Sequence, residues 1–219
     1  MYSKIRKQLD QAEVTLVAVS KTKPLEQIQE MYEKGQRIFG ENKAQELVDK
    51  YEALPKDIKW HFIGHLQRNK VKYIAPFVSL LHGVDSLRLL KEVNKQAQKN
   101  DRTIACLLQF HIAEENTKFG LDWSEAQEML DSEMFKAMEH IEIQGVMGMA
   151  TYTDDLTQVR KEFQRLKEIH RQLKQTYFSN QASFKEISMG MSGDYELAIE
   201  EGSTMVRIGT LLFGERNYI

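Results

Sequence analysis

Very little in this chain cross-links or punctuates it. One cysteine, Cys106, stands among 219 residues, so no intrachain disulfide can form. Its setting, TIACLLQF, reads as that of a small buried hydrophobe. Three prolines and no low-complexity run leave no linker at which to divide the chain, and 1–219 reads as a single domain. Neither sign of charge dominates. The 30 Lys and Arg meet 32 Asp and Glu, a net charge of −2, which removes the electrostatic case for nucleic acid or an anionic membrane. No apolar run approaches the ~18 residues of a membrane span. The N-terminal MYSKIRKQLD lacks the apolar core of a secretory signal. These absences lead to the expectation of a cytoplasmic protein, and nothing in the sequence calls for more than a monomer.

What the chain does have is an alternation of two textures. Short β-branched or aromatic runs precede longer amphipathic stretches. The runs are TLVAVS (15–20), RIFG (37–40), WHFIG (60–64), LLHGVD (80–85), IACLLQF (104–110), IQGVMGM (143–149), EISMG (186–190) and MVRIG (205–209). Helical patterns cover 25–35, 43–54, 86–100, 123–138 and 155–178, with a truncated helix over the first ten residues. Strands that each lead into a helix imply βαβ units and a parallel sheet. Eight of them suggest a closed (β/α)8 TIM barrel, for which ~200 residues is the lower end of the size range. An open doubly wound sheet is the alternative. The barrel is preferred because no strand-rich or helix-rich block stands apart.

Chemistry in such a barrel sits at the C-terminal ends of the strands. The first end carries Ser20 and Lys21, the second Gly40, Glu41 and Asn42, the third His61, Gly64 and His65. Pro24 suits the first position of a helix, which puts Lys23 at the rim. Lys21 then reads as the last strand residue, in phase with Val17 and Val19. Partial desolvation there favours the neutral amine that attack on an aldehyde requires. A lysine snorkelling at the barrel mouth fits the position equally well. The seventh and eighth ends, SMGMSGD (188–194) and RIGT (207–210), are rich in Gly, Ser and Thr. Backbone N–H groups there, with the hydroxyls of Ser192 and Thr210, can hold a phosphate. Ordinary turn chemistry explains either loop alone. Together, and opposite a strand-end lysine, they favour a phosphorylated ligand. Arg207, inside an apolar strand, needs an acceptor from a core carboxylate or from a ligand.

The segments VSKTKP, FGENKAQE, WHFIGHLQRNK, SMGMSGD and GSTMVRIGTLLFGERNY occur in the order of the motifs of the pyridoxal phosphate homeostasis (YggS/PROSC) family, which the chain resembles from about 14 to 218. That family is a single barrel similar to the N-terminal barrel of alanine racemase. The resemblance implies pyridoxal 5′-phosphate as cofactor, held as an internal aldimine on Lys21. It implies Ser192, Gly209 and Thr210 at the phosphate and Arg207 at the pyridine nitrogen. It further implies that Asn42 and His61 line the ring and its substituents and that Met147 packs near the cofactor, though Met147 suits the core as well. The family is regarded as non-enzymatic, storing, buffering or delivering the cofactor, with apo forms of cofactor-dependent enzymes as recipients. Arginine has only donors, so a ring nitrogen facing Arg207 stays unprotonated and the ring is a weaker electron sink. The second domain of racemases, which supplies a catalytic tyrosine, is not expected after this barrel. An amino-acid racemase on the same aldimine is the second reading, and a Schiff-base aldolase acting on a phosphorylated sugar the third.

Other features read as structural. His61, His65, His82 and His111 have no accompanying cysteine or HExxH pattern, so no metal site is expected. Asp154 and Asp155 suit the cap of the long helix from Leu156. Its basic residues, among them Lys161, Arg165, Lys167, Arg171 and Lys174, read as a solvated face. Met134, Met138, Met147 and Met149 read as core filling.

Overall fold

The computed structural model describes residues 1–114 and 119–215. Residues 216–218, the end of the last quoted motif, lie outside that range. Eight parallel strands close into one barrel in chain order. They are β1 (Thr15–Val19), β2 (Ile38–Glu41), β3 (Lys59–Phe62), β4 (Leu80–Val84), β5 (Ile104–Gln109), β6 (Ile141–Met147), β7 (Glu186–Ser188) and β8 (Met205–Ile208). The helices are α1 (Tyr2–Gln11), α2 (Leu25–Glu33), α3 (Ala44–Ala53), α4 (Val71–Ile74), α5 (Leu87–Lys99), α6 (Trp123–Asp131), α7 (Glu133–Lys136), α8 (Leu156–Thr176), α9 (Tyr195–Glu200) and α10 (Thr210–Phe213). The expected barrel is therefore present. The open sheet is excluded by the pairing of β1 with β8, which sets Thr15 beside Met205 and Val17 beside Arg207.

Period-two alternation sorts the strand residues onto two faces. Val17, Leu80, Leu107, Met147 and Met205 fill the barrel interior as one cluster. The opposite faces, among them Ala18, Phe39, Trp60, Leu81, Cys106 and Val146, form a larger core with the surrounding helices. Cys106 is a buried hydrophobe there, its thiol pushed up in pKa by burial alone. The expected helix over 123–138 is two helices. Ser132 ends α6 in an extended conformation, and its hydroxyl accepts from the Phe135 N–H to start α7. A serine that bonds locally to backbone competes with the helix. Asp155 caps α8, accepting from the N–H groups of Thr157 and Gln158. On α8, Arg171 pairs with Glu168 at 2.6 Å, as a solvated face would.

The seam between β8 and β1 is covered in an unusual way. α10 spans only four residues, too few to cover two strands. α1 supplies the rest: Ile5 and Leu9, both buried, pack on Val14, Leu16, Val206 and Ile208. The segment before the barrel thus acts as its last helix. Among the described residues no helix is long and apolar enough to cross a membrane.

Candidate functional site

β1 ends at Val19, two residues before the lysine of interest. Ser20 is buried, and its N–H still follows the ladder to Gly40 O at 3.1 Å. The chain then turns, Lys23 N–H donating to Ser20 O at 3.0 Å. Lys21 therefore sits half-buried on a β-turn beyond the strand, not as the last strand residue that the sequence suggested. Pro24 is also displaced by one. It is the extended residue before α2, at φ −68° and ψ 160°, and not the first helical position. Both differences have one cause: the tight turn leaves the ladder after Ser20. Lys23 is at the rim as expected, and it has a structural role. Its Nζ donates to the carbonyls of Phe213, Gly214 and Glu215 at 3.0, 3.0 and 2.8 Å, tying the β1 turn to the end of α10.

Within the barrel a chain of polar groups runs from β8 to β3. Arg207 is buried. It donates from Nη1 to Ser188 Oγ at 2.7 Å and from Nη2 to Gly148 O at 3.1 Å. Ser188 Oγ lies 3.0 Å from His82 Nδ1, and His82 Nε2 lies 3.0 Å from His61 Nδ1. Burial lowers the Arg207 pKa to about 10, with the Asp194 carboxylate pulling the other way, so the guanidinium stays charged at neutral pH. Burial, then the positive charge of Lys59, lowers His61 to about 3. Burial, then His61 and Arg207, holds His82 well below the ordinary imidazole value. Both imidazoles are therefore neutral, and the chain transmits hydrogen-bond polarity without added charge. Met147, also buried, belongs to the interior packing cluster.

The loops after β7 and β8 meet at the same end. Gly190 turns the chain at φ +94°, where an added Cβ would stand 2.6 Å from the Ala198 Cβ; only glycine fits both conditions. Its carbonyl accepts from the Arg207 N–H at 3.0 Å. Ser192 Oγ accepts from the Gly209 N–H at 3.3 Å, joining the two loops. Gly209 and Thr210 open α10, and the first N–H groups of a helix lack intrahelical acceptors. Across the mouth, Gly64 lets the β3 loop pass against Asn42, whose carbonyl oxygen would lie 2.6 Å from an added Cβ. Asn42 Oδ1 is buried and has no hydrogen-bond partner among the described residues. Such an atom calls for a partner from a ligand or water.

Lys21, Ser192, Arg207, Gly209 and Thr210 thus converge on the β1 and β8 ends, with Asn42 and His61 on the neighbouring β2 and β3. The arrangement offers an amine, a backbone cradle for an anion, and a buried donor-only cation. His82 and Ser188, which link Arg207 to His61, were not singled out from the sequence as site residues. The phase of His82 with Leu80, an interior residue, is the signal that marks it as inward-facing. Among the described residues no group of three His, Cys, Asp or Glu could hold a metal ion.

The family described as "Alanine racemase, N-terminal domain" matches residues 2–217. A pyridoxal phosphate homeostasis protein of Aquifex aeolicus is 41% identical over 204 residues, 93% of this chain and 87% of that one. Among solved structures, PipY of Synechococcus elongatus without PLP superposes with a TM-score of 0.90 at 33% identity, covering 97% of this chain and 98% of that one. The same protein with PLP bound gives 0.86 at the same identity and coverage. With a barrel of this topology and a match over nearly its whole length, this chain belongs to the alanine racemase N-terminal domain family, among the pyridoxal phosphate homeostasis proteins.

Proposed function

We propose that this chain holds pyridoxal 5′-phosphate and keeps it for release or transfer, without turning over amino acids. The observation that carries the reading is the closing seam of the barrel. Pairing of β1 with β8 sets the Lys21 turn beside the Gly209–Thr210 turn and above Arg207. When bound, the cofactor supplies an aldehyde for covalent attachment and a ring that can draw electrons from what is attached to it.

The residues present fit that group. The Lys21 amine is the point of attachment. The start of α10 and the Ser192 hydroxyl suit a phosphate dianion, which backbone N–H groups at such a turn hold well. The buried, partnerless Asn42 Oδ1 faces a need that a ring substituent would meet. Arg207 would orient the ring by donating to its nitrogen. Because a guanidinium has no acceptor, it cannot take a hydrogen bond from a protonated ring nitrogen, and the ring remains a weak electron sink. The neutral His61 and His82 add no charge that would change this. In this reading the recipients are apo enzymes that need the same cofactor.

Incubation with pyridoxal phosphate and reduction with borohydride tests the reading. The expected product is one covalent adduct on the peptide bearing Lys21, absent in Lys21→Ala and retained in Lys23→Ala. An adduct that survives Lys21→Ala would overturn it. Exchange of amino-acid α-hydrogens in deuterated water should fall below the range of enzymes, on the order of 1–10³ per second. Exchange within that range would make the protein an enzyme.

A further inference from the structure

Beneath the Lys21 turn lies a buried ionic cluster that the site described above does not use. Lys50, on α3, is almost fully buried, and so is Glu41 at the end of β2. The Lys50 Nζ donates to Ser20 O at 2.8 Å, to Glu41 Oε1 at 2.8 Å and to Glu46 Oε1 at 2.6 Å. Three acceptors match the three hydrogens of an ammonium. Ser20 Oγ donates to the same Glu41 oxygen at 2.6 Å. Glu46 Oε1 takes one more donor, the backbone N–H of Thr22, at 2.6 Å.

These bonds fall on both sides of Lys21. Lys50 fixes the carbonyl of the residue before it. Through Glu46, Lys50 also fixes the N–H of the residue after it. Thr22 sits at φ +65°, a left-handed conformation that a β-branched residue avoids unless its surroundings impose it. The Glu46 carboxylate is what takes up the N–H so exposed. A buried ion pair is in itself weak evidence of stability, since burying the charges offsets most of their attraction. Burial outweighs the donors even at Glu41, whose carboxyl is raised in pKa despite Lys50 and Ser20. What such a cluster fixes well is geometry.

We propose that Lys50, with Glu46 and Glu41, is a positioning device that holds the strained Ser20–Lys23 turn so that the Lys21 amine is aimed at the cofactor. The proposal rests on the cofactor reading above. The side chains of the cluster bond to Ser20 and Thr22 of the turn, so their effect reaches the ligand through the placement of Lys21. Small misplacements of an attacking group are costly out of proportion to their size.

The test compares full-length wild type, Lys50→Met and Glu46→Gln, each loaded with pyridoxal phosphate. The readouts are visible circular dichroism of the bound cofactor, its release rate into a phosphatase trap, and the melting temperature. Lys50→Met should lose half or more of the visible dichroic band and release the cofactor about tenfold faster. Glu46→Gln, at a partly exposed position that leaves the fold intact, should move both readouts in the same direction by less. Variants that melt lower but keep the wild-type band and release rate would show a cluster serving the fold alone, and overturn the proposal. If Lys50→Met does not fold, Glu46→Gln decides: an unchanged band and rate overturn it. Wild-type protein with no band and no adduct on Lys21 overturns the cofactor reading and this proposal with it. Wild-type protein with both, and variants indistinguishable from it, overturns this proposal alone.

Discussion

At the scale of single residues, the interior chain Arg207–Ser188–His82–His61 sets a pH dependence whose sign can be worked out. An imidazole whose folded pKa lies below its unfolded one binds more protons when unfolded. Its contribution to stability is complete above the unfolded value and is lost as pH falls toward the folded value. For His61 that window runs from the ordinary imidazole value of about 6.5 down to about 3, and His82 shifts the same way. The protein should therefore lose stability below about pH 6.5, at up to ~1.4 kcal/mol per pH unit for each histidine. Urea midpoints at pH 7.5 and pH 5 measure the loss. His61→Gln should narrow the gap between them, and an unchanged gap would place the acid sensitivity elsewhere. The residues of this chain also mark where sequence reading stopped. Lys21, Arg207 and Ser192 stood out in the sequence because each lies within or just after a short apolar run. The link between His82 and Ser188 spans 106 residues, and no local pattern encodes a contact at that separation. The same limit hid Lys50, which lies in the expected helix 43–54 while its partners Ser20 and Glu41 belong to other elements.

At the scale of elements, the strand runs were legible to within a residue or two because burial on both faces leaves short apolar segments that little else imitates. The outer ends of the expected helices fall as close, but a break inside one of them was not legible. Ser132 breaks one expected helix by a single hydroxyl bond to Phe135 N–H, a competition that helical periodicity does not register. The function of α1 was equally hidden, since a short helix before a barrel gives no sign of which strands it covers. Its role leads to a prediction. Leu9 is fully buried against the β1–β8 pair, so Leu9→Ala should cost about 2–5 kcal/mol. Truncating the Asp155 cap of α8 to alanine should cost only ~1 kcal/mol. Chemical denaturation of both variants compares them directly. Equal, small losses would mean that α1 is an appendage.

At the scale of the whole molecule, the site exists only when the barrel is closed, because its parts come from β1, β2, β3, β7 and β8. A ligand that binds this assembled site stabilises the entire fold by mass action. At a hundredfold excess over its dissociation constant the gain is about 2.7 kcal/mol, worth roughly 5–10 °C in a domain of this size. Pyridoxal phosphate should raise the wild-type melting temperature by that order, and raise it less in Lys21→Ala. Equal shifts in the two proteins would mean that covalent attachment adds nothing to retention.

The β1–β8 seam also carries a history of assembly. Its partners, such as Thr15 and Met205, stand at opposite ends of the chain, and joins of such long sequence separation form slowly. During synthesis β1 is made before the other strands and waits for β8 until the rest of the barrel has been made. An unpaired strand edge invites stray pairing with other chains, and in the closed barrel α1 packs on Leu16 of that strand. Competence to take up a ligand is then the last property the newborn chain acquires. In pulse-labelled refolding, the amides joining β1 to β8 should gain protection together with that competence and after the rest of the barrel.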